Sequence, residues 1–445
     1  MRAGTLSFAC GVMLLATSSA WGQTDSNLMT SEPCRAVANA NLESLEKRKL
    51  DLEQTIAVTR NEAEALASKT ETARAPDGAA RMQDELKRQQ NLLIDVLYEM
   101  ECFRNDLQRT PEITRGQGSV VEITTFYATN RRQTGRHELS TFYSADDTRE
   151  LAYGRTSVSI PSAHRIGALE LPSLWKLELN PDVNRHFVLK SITPLVSADA
   201  KRQIVTALTT SRAKSLLIFI HGYNVSFSDA ALRTAQLAHD LRFPGLAMFY
   251  SWPSAGETSG YLHDEESAQL ARGPFDQLLD DLSQLGFEQI YLIAHSMGNR
   301  VVGATLAHRV QENKDVSKIQ EILLAAPDIN VEIFKTEIAP RLLMMQSARK
   351  TIYASSKDLA LKASKIMHGF FRVGETTGGI FISPGFDTID ASGAAPLVRA
   401  FGHSYVLDSA SVLNDVEDIV VWHRLIAERT LKQLGAPPTV HWGLR

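Results

Sequence analysis

Two hydrophobic rhythms divide the chain. Between Cys34 and about residue 108, apolar residues step at three and four positions: Leu42, Leu45, Leu52 and Ile56, then Leu86, Leu93, Leu97 and Met100. Such narrow stripes predict long amphipathic helices. Ala75-Pro76-Asp77-Gly78 interrupts them, so residues 34–108 read as an antiparallel helical hairpin of coiled-coil type. Thr110 to Ser119, with Pro111, Gly116 and Gly118, reads as the core of a linker over residues 109–119. From Val120 onward the rhythm changes to short β-prone runs separated by helical stretches. Strands are expected at Val120–Thr129, Gly154–Pro161, Phe187–Val196, Ser215–Ile220, Leu246–Ser251, Ile290–Ala294, Ile322–Ala326, Thr351–Ala354 and Phe386–Ile389. Ser215 to Ile220 is apolar almost throughout, as in a strand buried on both sheet faces. Helix spacing returns at Phe275, Leu278, Leu279, Leu282 and Leu285, and again from Val412 to Leu434. Strands alternating with helices predict an α/β domain over residues 120–445, with a mostly parallel twisted sheet covered on both sides.

Composition adds compartment and excludes some partners. A chain of 445 residues has room for one large domain and a smaller element. The formal net charge of −4 argues against nucleic-acid binding. Residues 1–22 have the form of a secretory signal: Arg2, an apolar run from Leu6 to Ala16, and Ala20-Trp21-Gly22 before a cleavage point at Gln23. A polar lead follows over residues 23–33. Signal removal leaves Cys34 and Cys102, and a pair in an exported chain reads first as a disulfide. A turn at Pro76 fits that pairing poorly, because it sets Cys102 opposite a position nearer 50. The expected location is periplasmic or secreted, with no stable membrane span after signal removal. No metal-ligand motif or phosphate-cradling glycine loop occurs, so neither a metal nor a cofactor is expected.

The chemistry concentrates at Ala294-His295-Ser296-Met297-Gly298-Asn299-Arg300. A β-prone run stops at Ser296 and a helical pattern begins at once. A serine on a sharp strand-to-helix turn stands above the sheet edge, and small neighbours relieve the turn. Here Ala294 takes the place of the usual first glycine. With His221-Gly222-Tyr223-Asn224 upstream, this stretch resembles the α/β-hydrolases. More narrowly it is similar to a bacterial esterase/lipase-like branch of largely uncharacterised function (DUF900-like), whose Tyr-Ala-Thr-Asn-Arg opening is matched by Tyr127 to Arg131. The resemblance covers roughly residues 120–430.

Acyl transfer of this type needs a nucleophile, a base, an acid that orients the base, and donors for the oxyanion. The fold supplies the triad in the order serine, acid, histidine. Ser296 is the expected nucleophile and His403, in Phe401-Gly402-His403-Ser404, the expected base. His368 comes too early, His423 falls in a helical pattern, and His441 lies in the tail. Asp358 and Asp328 both follow strand ends; Asp387 and Asp390 are less well placed. The resemblance puts the acid at Asp358. Backbone N–H groups of Tyr223 and Met297 would form the oxyanion hole. His295 would pack beside the turn, and Trp252 would either line the acyl pocket or pack. The short interval between the strands ending at Ala326 and starting at Thr351 leaves room for one helix, so a shallow open site with a small flap at Gly369–Gly385 is expected. The reading is an exported serine hydrolase of carboxylic esters, acting on a small or surface-bound ester. Its rival is a non-catalytic scaffold using the helical hairpin to bind a protein partner or itself.

Overall fold

The computed structural model describes residues 42–70, 82, 85–86, 88–90, 92–93, 96, 120–172, 181–256, 260–394 and 405–444. The signal, Cys34, Cys102, the linker and His403 lie outside these residues. Eleven strands form one sheet: β1 Val121–Gln133, β2 Tyr143–Ile160, β3 Val188–Leu195, β4 Ser215–Ile220, β5 Leu246–Ser251, β6 Gln289–His295, β7 Ile319–Ala325, β8 Arg349–Ala354, β9 Asp387–Asp390, β10 Leu431–Leu434 and β11 His441–Leu444. Their spatial order is β10-β11-β9-β8-β7-β6-β4-β5-β1-β2-β3. Pairing is parallel from β1 through β5, β4, β6, β7, β8 and β9 to β11. It is antiparallel between β1 and β2, β2 and β3, and β10 and β11. The C-terminal ends of the parallel strands therefore share one edge, where α/β sheets carry their sites.

Among the described residues eight principal helices accompany the sheet: α1 Leu42–Thr70, α2 Ser197–Thr210, α3 Phe227–Asp240, α4 Tyr261–Leu270, α5 Arg272–Ser283, α6 Gly298–Gln311, α7 Leu359–His368 and α8 Ala410–Val420. Alternation along β4 splits the core. Leu216, Ile218 and Ile220 face the layer containing α2, α4, α5 and α6, whereas Leu217 and Phe219 face α3 and α8. The interval 331–344 is a helical run, as the short spacing implied.

Two regions depart from the sequence pattern. β2 begins eleven residues earlier than expected, because Tyr143–Tyr153 extends the pairing with β1 past bulges near Arg131. That polar ribbon lacks the apolar alternation that marks a buried strand. The expected helix from Val412 to Leu434 ends at Val420. Beyond it His423 takes a left-handed φ of 53°, and Leu431–Leu434 joins the sheet as an edge strand. The apolar residues read there as a helical stripe instead serve an edge hairpin, anchored by the buried Arg429 on Asp415 at 2.8 and 2.5 Å.

The amino-terminal helices pack on this domain. Thr59 Oγ1 donates to Gln89 Oε1 at 3.0 Å, so these two helical positions face each other. Ile56 and Leu93 are buried in the same apolar cluster as Ala363 and Met367 of α7. Arg60 and Gln90 donate to the Met367 carbonyl at 3.0 and 2.9 Å, and Arg60 also to that of Ile366. These bonds satisfy carbonyls that the C-terminal end of α7 leaves unpaired.

Candidate active site

Ser296 sits between β6 and α6 with φ of 53°, a left-handed conformation that a non-glycine residue rarely adopts. Its neighbours hold it there. The Ser296 N–H donates to Ala325 O at 2.9 Å, and Asn299 Nδ2 donates to Ser296 O and Ala325 O at 2.9 and 3.0 Å. Two glycines permit the packing. A Cβ on Gly222 would lie 2.6 Å from Ser296 Cβ, and one on Gly298 would lie 2.4 Å from His221 O. The β4 loop thus rests directly against the turn. Ser296 is buried, with 4% of its surface exposed, which is less open than the short strand interval implied. His295 packs beside Gly222, as expected.

Met297, with φ −63° and ψ −22°, begins α6, so its N–H is one of the donors that a helix start leaves without an intrahelical partner. Tyr223 follows Gly222 in the facing loop. The next two amides are already engaged: Asn224 N–H donates to Asp264 Oδ2 at 3.2 Å and Val225 N–H to Ser254 Oγ at 3.2 Å.

Arg131 holds this loop from beneath. It is buried and donates to Val225 O at 2.7 Å, Ser254 O at 2.9 Å, Ser251 Oγ at 2.9 Å and Ser144 O at 3.3 Å. Burial lowers its pKa to about 10, against the pull of Asp264 and Asp229, so it stays charged at neutral pH. Trp252 stacks on His221 at 5.0 Å and 15°, and its indole N–H donates to His221 O at 2.8 Å. Fully buried, it supports the loop from behind, the packing alternative for this residue. Burial and the Arg131 charge push His221 down to about 3, so it is neutral. The Tyr127 to Arg131 stretch had marked the resemblance, but its role was not legible without these three distant acceptor segments.

The two aspartates separate clearly. Asp328 is saturated: Ser364 Oγ and Tyr261 Oη donate to it at 2.6 and 2.5 Å, and Arg372 and Arg300 lie at 3.3 and 3.4 Å. Burial would raise its pKa, but the Arg300 and Arg372 charges hold it well below the usual carboxylate range. Four neighbouring side chains thus engage Asp328. Asp358 is fully buried and caps α7, accepting from Leu361 N–H at 2.9 Å. Burial foremost, and the nearby Asp358 and Asp390 charges, raise the Tyr405 phenol, whose hydroxyl donates to Tyr353 O at 3.1 Å.

The rival histidines have other work. His368 uses Nδ1 on Ser364 O at 2.8 Å and Nε2 on Glu265 at 3.0 Å. His441 opens β11 and His423 packs near Tyr291 of β6, 5.9 Å between rings, both toward the sheet edge opposite Ser296. Asp387 starts β9 at that same far edge, and Asp390 accepts from Ser392 N–H. The glycine-rich segment 369–385 is no free flap. Gly374 bonds to Pro327 O and Ser355 N–H, and a Cβ there would meet Ala326 at 2.5 Å.

A family model described as an alpha/beta hydrolase of unknown function, DUF900, matches residues 196–421. The chain belongs to this family. As in the sequence reading, the chain has a mostly parallel sheet with flanking helices. No curated protein matches it. Among solved structures, an esterase from Pyrobaculum calidifontis shows 11% identity and a TM-score of 0.31, over 76% of this chain and 93% of that one. Two mutant forms of the esterase rPPE show 12% identity and a TM-score of 0.25, over 81% of this chain and 73% of theirs. Among the described residues, no helix is long and apolar enough to cross a membrane.

Proposed function

We propose that the protein is an exported serine hydrolase that cleaves carboxylic esters through an acyl-enzyme. The observation that carries this reading is the strained Ser296 turn, pressed against the Gly222 loop with the Met297 N–H at a helix start beside it. In this scheme His403 takes the Ser296 proton as Oγ attacks the ester carbonyl. Asp358 orients the imidazole and stabilises its charge. The Met297 and Tyr223 amides receive the oxyanion, and the leaving alcohol departs with the proton from His403. Water, activated by the same imidazole, then releases the acid. His403 is favoured because it follows Asp358 in the chain, and because Tyr405, two positions later in the sequence, donates to Tyr353 O of β8, the strand that leads to Asp358.

The test is turnover of a chromogenic acetyl or butyryl ester by wild type, Ser296→Ala, Asp358→Asn and His403→Ala, alongside fluorophosphonate labelling. Labelling of wild type that is lost in Ser296→Ala, with turnover down by at least about a thousandfold in each variant, supports the triad. Equal turnover by wild type and Ser296→Ala sinks it and favours a scaffold role. Fractionation of cells producing the full chain tests export.

A further inference from the structure

Far from Ser296, the loop after β2 meets the C-terminal end of α3. There His164, His239 and Asp240 bring one potential ligand atom each to within 4.8 Å of one another. We propose that these three side chains form a binding site for a divalent transition-metal ion, with zinc the best match. Two imidazoles and one carboxylate are a donor set suited to zinc rather than to magnesium or calcium, which take oxygen ligands. A water would complete a tetrahedron.

The surroundings are arranged as a ligand shell would be. Glu170 Oε2 lies 2.8 Å from His164 Nδ1, which fixes that nitrogen as a donor and aims Nε2 at the cluster. Histidine ligands are commonly oriented by a carboxylate in this way. Asp240 Oδ1 sits 2.6 Å from His164 Nε2, and its other oxygen accepts from Gly167 N–H at 2.9 Å and Gln236 Nε2 at 3.1 Å. Phe187 closes the edge of the His164 ring at 5.0 Å.

A simple ion pair of His164 with its two carboxylates accounts for all of this except His239. That ring lies 5.4 Å from His164, centroid to centroid. Among the described residues its nitrogens make no hydrogen bond. With no hydrogen bond to break, a ring nitrogen of His239 can turn to coordinate an ion held by the other two side chains. On binding, the Nε2 proton of His164 leaves to solvent and the ion takes its place between His164 and Asp240. His239 swings inward to a ligand distance of about 2.0 Å. The loop after β2 and α3 would then be tied together.

The sequence carried no signal of this, because His239 and Asp240 are separated by some 75 residues from His164. Zinc alone, titrated calorimetrically into the tag-free full chain, tests it beside His239→Gln. Because that ring makes no hydrogen bond, this variant should melt at the wild-type temperature without metal. The expected result is one zinc per wild-type chain, with a rise in melting temperature, and binding at least about tenfold weaker in His239→Gln. Cobalt should give wild type the intense visible absorption of a tetrahedral site, and His239→Gln should lose it. Absence of zinc uptake by wild type, or equal uptake by His239→Gln, overturns the proposal.

Discussion

At the scale of single residues, Arg131 has the most connected position near Ser296. Its guanidinium bonds to acceptors on β2, on the turn after β5 and on the loop after β4, so one side chain sets the spacing of three segments. Lysine keeps the charge but lacks the planar fork of donors. Arg131→Lys should therefore leave several buried acceptors unpaired, each costing about 1 kcal/mol or more. The loop after β4 would drift; on the proposed oxyanion role of its Tyr223 amide, kcat should fall by about ten- to a hundredfold with KM little changed, which steady-state kinetics would read directly. Undiminished kcat would show that the loop holds its place without this anchor. Burial and charge also explain why the acid was ambiguous in the sequence. Asp328 and Asp358 each follow a strand end, and only the positions of Arg300 and Arg372 reveal that the first is already bound by neighbours.

At the scale of elements, α7 joins two regions of the protein. Asp358 caps its beginning, and Arg60 and Gln90 from the amino-terminal helices hold its end. Replacing both donors, as Arg60→Ala with Gln90→Ala, frees the Met367 carbonyl and should cost about 2 kcal/mol. A lower urea midpoint would register that loss. If α7 transmits it to Asp358, ester turnover falls as well while fluorophosphonate still labels Ser296. Unchanged turnover would confine the effect to stability. How much of the architecture was legible depended on the kind of element. β4 and β5 were readable to the residue, because central strands are continuous apolar runs. The 421–434 segment was not, since an edge hairpin and a helix can share the same sparse apolar spacing and only the left-handed His423 ends the helix. The outer half of β2 was hidden because its ribbon is polar. The Ser296 turn was legible because its chemistry is local, whereas Arg131 serves loops far away in the sequence.

Across the whole molecule, stability should carry a pH signature from the far side of the sheet. Burial works against the charge on His164, but Asp240 and Glu170 outweigh it and raise its pKa to about 9. The unfolded value is about 6.5. A pKa raised on folding stabilises fully below the unfolded value, and the contribution fades as pH rises through the folded one. Metal-free protein should thus lose melting temperature between about pH 7 and 10, and His164→Gln should flatten that decline. A wild-type profile no steeper than that of His164→Gln would contradict the assignment.

The grip of Arg60 on the carbonyls of Ile366 and Met367 spans 306 and 307 residues of sequence. This segment therefore finds its seat only after the roughly 300 residues that follow it have been made. Until then Ile56 and Leu93 lack the α7 surface they cover in the folded protein, and the apolar stripe of an otherwise polar helix waits in solvent. Docking of α1 thus runs against the direction of synthesis, and its apolar stripe stays uncovered longer than surfaces whose partners lie nearby in the sequence.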